Sequence, residues 1–190
     1  MNKFRLGAVA LLAPSLAAAH VMPGVGDFYS GMLHPLLSLD QLVPLAALSL
    51  LAGQQNRNLA VTALIAFPAA LAAAARAGLA VRQPSFLFVA SAAAMAILGV
   101  LIAVSRPLPH FAVAALAIAV GVVEGLAVSG EISPGVEPLR FIAGAALTGL
   151  VMVAYGIGLV RRLRAEWMRI AVRAAGSWVA AIGVMVLALK

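Results

Sequence analysis

The stretch Gly31 to Leu51, GMLHPLLSLDQLVPLAALSLL, sets an imidazole, a carboxylate and a carboxamide (His34, Asp40 and Gln41) in a run that is otherwise apolar. Roughly 20 residues at about 1.5 Å each cover a ~30 Å hydrocarbon core, so the run is long enough to cross a bilayer as a helix. An Asp at the centre of such a helix costs about 2.5–3.5 kcal/mol on insertion scales, and is normally kept only where it faces a partner, a cavity or a transported ion. Pro44 has no N–H for the carbonyl four residues back, which belongs to Asp40, so in a continuous helix one residue offers both a carboxylate and a freed backbone oxygen. His34 and Gln41 are seven apart, within about 20° of each other around that helix, and are expected to look into the same cavity.

Glu124 is the second candidate. It lies in VGVVEGLAVSG, in a helix of Ala, Val, Ile and Leu with no basic residue within a turn or two. A carboxyl in that setting is either functional or a protonated group that hydrogen-bonds a neighbouring helix. Gly121, Gly125 and Ser129 repeat every four residues beside it, a small-residue ridge along which another helix can approach closely. His110 heads the same helix after Pro107 and Pro109, where interfacial punctuation is its expected role.

The elements that position these groups follow from composition. With 64% hydrophobic and 10% charged residues over 190, and a mean hydropathy of +1.10, the chain reads as an integral membrane protein. The absence of cysteine removes disulfides, thiolate metal sites and thiol catalysis together, leaving His, carboxylate, amide and backbone donors, which suit hard or borderline divalent ions. Lys3 and Arg5 precede the apolar Leu6 to Leu16, and Ala17-Ala18-Ala19 precede His20, the pattern of a cleavable signal peptide over 1–19. Cleavage there would make His20 a terminus presenting its α-amine and imidazole together, a possible chelate for Ni²⁺, Cu²⁺ or Zn²⁺; a His near such a site is otherwise incidental.

Residues 20–190 are then expected to form one all-α domain, a polytopic bundle of six transmembrane helices at roughly 31–52, 58–77, 85–104, 110–129, 138–160 and 169–189. The linkers are short, so consecutive helices are antiparallel neighbours. With the mature N-terminus in the periplasm, Arg57, Arg106, Arg161, Arg162, Arg164 and Arg169 fall on the cytoplasmic side of a bacterial inner membrane, as the positive-inside rule requires. Asp27, Glu131 and Glu137 fall in outer segments, where they either focus cations toward a cleft or form ordinary solvated surface. The basic segment Arg161 to Arg173, with Trp167, reads as an anchor in anionic headgroups rather than a nucleic-acid site. Small pairs such as Gly144 with Thr148 and Ala145 with Gly149 read as packing faces.

The pattern HPLLSLDQLVPL, following a signal peptide that ends before His20, resembles the HupE/UreJ family of small membrane proteins over about residues 27–160. VGVVEG stands where that family has His-Gly-x-Ala-His-Gly, and Phe141 to Gly156 resembles its Tyr-x-x-Gly-Phe, Ala-Thr and Leu-His segment. The resemblance implies nickel entry for hydrogenase and urease maturation, with secondary metal permeation. His34, Pro35 and Asp40 match; Gln41, Val120, Glu124 and Val153 stand at family histidines, which removes the imidazoles best suited to Ni²⁺ and adds an oxygen ligand.

The expected function is therefore a secondary permease for a divalent transition metal, nickel or a related ion, carried as substrate with no tightly bound cofactor. His34, Asp40 and Glu124 are expected to converge on one outward-opening cavity, with Gln41 a weak neutral ligand and His20 a further donor. Two other classes remain: a passive channel for a small neutral molecule, which leaves Asp40 and Glu124 without a role, and an accessory subunit binding another membrane protein, or its own copy, through Gly/Ala faces. Catalysis is not expected, since there is no phosphate-binding loop and no nucleophile beside a base.

Overall fold

The computed structural model of the chain describes residues 26–81 and 84–189, so the expected signal peptide at 1–19 and His20 lie outside the described residues. Those residues form seven helices and no strand: α1 Asp27–Leu37, α2 Leu39–Gln54, α3 Arg57–Gly78, α4 Leu87–Val104, α5 His110–Gly130, α6 Pro138–Arg162 and α7 Glu166–Ala188. Helices α3 to α7 are each long and apolar enough to cross a membrane. The protein is thus an all-α membrane protein.

The expected continuous first span, 31–52, is corrected. It is two helices, α1 and α2, bent by 77° at a break and apolar enough to make a sixth span when taken together. The break is Ser38, whose backbone is extended at φ −100°, ψ 103°. Its N–H donates to the His34 carbonyl at 3.2 Å, and its carbonyl accepts from Gln41 N at 3.1 Å and Leu42 N at 2.8 Å. One residue therefore satisfies the end of α1 and the start of α2. Pro35 and Pro44 flank it, each withholding one rung of the helical hydrogen-bond ladder.

Close crossings without side chains in the way hold the bundle together. A Cβ on Gly31 would collide with the Phe141 backbone and one on Gly144 with the Phe28 backbone, which locks α1 against α6. Thr148 reinforces that crossing by donating to the Met32 carbonyl at 2.8 Å. Gly121 and Gly125 meet the backbone of α3 at Phe67 and Leu71, so the ridge beside Glu124 is used to seat α5 on α3. Gly99, Gly176 and Gly183 do the same for α4 and α7. Between them sits an apolar core that includes Leu48, Phe67, Leu98, Val120, Phe141 and Val153.

The two ends differ. At one, Gln55 joins three elements: its Oε1 accepts from Leu108 N at 2.9 Å, its Nε2 donates to the Arg106 carbonyl at 3.4 Å, and its own carbonyl accepts from Arg161 at 3.1 Å. Arg173 donates to the Ala103 carbonyl at 2.9 Å near the same end. At the other, Asp27 Oδ2 accepts from Glu137 N at 2.9 Å, while the Glu137 carboxylate caps α6 through Leu139 N and Arg140 N. Arginines thus gather at the end where α2 finishes, and acids at the end where α1 begins.

Candidate functional site

The 77° bend brings His34 and Gln41 together by a route other than the one their spacing suggests. Seven residues along a straight helix rise about 10 Å, too far for direct contact between these side chains near their Cα positions. Across the break, Gln41 Nε2 and His34 Nε2 lie 3.0 Å apart. Both side chains are buried, at 4% and 3% exposure. With the amide donating, the imidazole accepts at Nε2 and carries its proton on Nδ1, which is buried without a partner. The ring also packs at a tilt on Phe141, with centroids 5.6 Å apart.

Asp40 sits in the first turn of α2, where the exposed N–H groups and the helix dipole favour a negative charge. Its side chain is exposed to a cavity of about 520 Å³ between α2, α4, α5 and α7. Glu124, in the C-terminal third of α5 and 4% exposed, lines the same cavity, as does Gln41. Gln41 and Glu124 also line a second, much smaller void of about 10 Å³ against Phe67, Leu71 and Gly149. A void that size is about one water across. The pair therefore borders both spaces.

Of the expected ligands, the structure brings Asp40, Glu124 and Gln41 to one cavity, and it holds His34 behind Gln41 rather than in the lining. Among the described residues, no three His, Asp or Glu side chains gather closely enough to hold a metal ion. His110 lies outside the site, exposed at the head of α5, with its Nε2 3.0 Å from Thr62 Oγ1. Ser91 and Met95, one turn apart on α4, line the cavity without having stood out in the sequence, and Glu131, just past the end of α5 and open in the sequence between cation focusing and solvated surface, lines it too. The first two are unremarkable in an apolar helix, and a loop glutamate reads equally well as solvated surface.

A bundle of apolar helices with one bent helix pair and a cavity that reaches carboxyls within it defines a polytopic membrane protein with an internal polar site. Discontinuous helices at such a site are how many membrane carriers bring backbone and side-chain donors to bilayer depth. The chain belongs to the HupE/UreJ family, whose family model, described as HupE / UreJ protein, matches residues 8–186. Comparison with curated proteins and with solved structures found no match. Gln41, Val120, Glu124 and Val153, the positions that the sequence resemblance sets against family histidines, are all buried.

Proposed function

We propose that the protein is a secondary permease for a divalent transition metal, nickel or a related ion, entering a bacterial cell from the periplasm across the inner membrane. Family membership associates that role with hydrogenase or urease maturation. The observation that carries the reading is the shared cavity of Asp40 and Glu124, two carboxyls with an adjacent amide in a membrane-embedded site. Carboxyls at this depth need a counter-charge, and a cation passing between them supplies it. The arginine-rich end, with Arg106 and Arg161 around Gln55, is then cytoplasmic, and the cavity opens toward the periplasm. The accessory-subunit reading is disfavoured because the Gly121, Gly125 and Gly144 faces it would present to a partner are spent on α3 and α1.

Uptake of ⁶³Ni²⁺ into proteoliposomes carrying the full chain tests this. Asp40→Asn and Glu124→Gln should each lower the initial rate at least roughly tenfold, the loss expected when one charged ligand is neutralised at a cost near 1.4 kcal/mol. Unchanged uptake in both variants would make the cavity structural.

A further inference from the structure

The cavity has the dimensions of an organic-ligand site rather than of an ion site. A six-coordinate divalent ion with its water shell, taking metal–oxygen distances near 2.1 Å, fills roughly 180 Å³. The cavity measures about 520 Å³. Sites for small organic ligands run to about 300–1,000 Å³ and pair apolar walls with a few polar groups at one place. The lining here is of that kind: Val43, Leu87, Val123, Ile182 and Val186 supply apolar surface, and Asp40, Gln41, Glu124, Ser91 and Glu131 the few polar groups.

The donor count points the same way. The lining offers the carboxyls of Asp40, Glu124 and Glu131, the Gln41 amide and the Ser91 hydroxyl, but among the described residues no three His, Asp or Glu side chains gather closely enough to hold one ion by themselves. A divalent transition ion commonly takes four to about six donors, so the rest must travel with it. If they are waters, part of the shell faces hydrocarbon, which leaves polar groups unsatisfied. If they belong to an organic chelator, its carbon skeleton faces the aliphatic wall and its open coordination positions face the carboxyls. The described lining holds three carboxyl groups, counting Glu131, and no basic side chain, which favours a complex of net positive charge.

Resting on the permease reading, we infer that this cavity receives the metal as a cationic complex with a small organic chelator bearing amine, carboxylate or imidazole donors, not as the hydrated ion. The test uses the purified full chain in lipid nanodiscs, with ⁶³Ni²⁺ alone or with equimolar L-histidine, whose one-to-one complex with nickel is singly positive. At fixed total nickel, histidine should raise retained ⁶³Ni roughly tenfold, a gain of about 1.4 kcal/mol. Val186→Trp, which fills the wall, should remove that gain, and Ile182→Trp on the same helix serves if the first variant does not fold. If histidine instead lowers retention, by competing for the ion, the inference falls and the permease reading stands. A histidine-dependent gain that survives both tryptophan variants also overturns it, since the complex would then bind elsewhere. If neither form of nickel binds above the level of Asp40→Asn, the inference and the permease reading fall together.

Discussion

Gln41→Leu should destabilise the protein more than a loss of one ordinary hydrogen bond suggests. In the native chain the His34 ring has one partner, Gln41 at 3.0 Å across the Ser38 break, and its Nδ1 is already buried without one. Removing the amide leaves both ring nitrogens unpaired at 3% exposure. An unsatisfied buried polar group costs about 1–3 kcal/mol, against roughly 0.5–1.5 kcal/mol for the net value of the bond itself. At about 2–4 °C per kcal/mol for a chain of this size, Tm in detergent should drop by roughly 2–12 °C. His34→Leu removes the unpaired nitrogens along with the ring, so Gln41→Leu in that background should cost little. The double variant should then sit at least ~1 kcal/mol above the sum of the singles in a cycle read by thermal or denaturant unfolding. Additivity to within about 0.5 kcal/mol would show that the contact across the break carries no energy, and the account of the hinge would be wrong.

Arg164→Cys, in this otherwise Cys-free chain, should resist a membrane-impermeant maleimide applied to intact cells while Pro134→Cys reacts; the opposite pattern would invert the proposed orientation. Nickel binding to the reconstituted protein should weaken as pH falls, because protons and the ion compete for the same carboxylate oxygens, and a flat profile from pH 8 to pH 5 would remove Asp40 and Glu124 as ligands. Gln55→Ala should loosen the arginine-rich end, since Leu108 N loses its acceptor at 2.9 Å and the Arg106 carbonyl its donor at 3.4 Å, while Arg161 keeps the backbone carbonyl of residue 55. The expected loss is about 1–3 kcal/mol of stability, read as a lowered Tm, and no change would mean that water replaces the amide there.

Asp40 and Glu124 were legible because hydropathy makes a lone carboxyl in an apolar run stand out, and the structure puts both on one cavity. The five long spans from α3 to α7 were legible for the same reason, from the length of each apolar run. The break at Ser38 was not. Its flanks, HPLL and LDQLVPL, satisfy a helix in either direction, and what selects the bend is the Gly31 and Gly144 crossing that pins α1 to α6, a contact more than 100 residues away in sequence. The α4 and α7 pairing through Gly99, Gly176 and Gly183 was equally hidden, since glycine is common in membrane helices and a single sequence does not say which glycines face each other.

The break also accounts for how the chain arranges its polar groups along the proposed path. In an unbroken helix His34 would stand two turns from Gln41 and need its own partner elsewhere. Bent, the chain lets Gln41 serve His34 with its amide while its side chain still lines the cavity with Glu124. Beside that pair lies a void of about 10 Å³ lined by Phe67, Leu71 and Leu45, in an apolar core that also buries Val120 and Val153, two of the positions where the family resemblance places histidines. On the permease reading, passage requires these side chains to move, and Gln41 is carried by the first turn of α2. Ser38 already holds an extended backbone there, and Pro44 withholds the rung to the Asp40 carbonyl, so this turn reorients at the loss of fewer hydrogen bonds than any turn inside a regular helix.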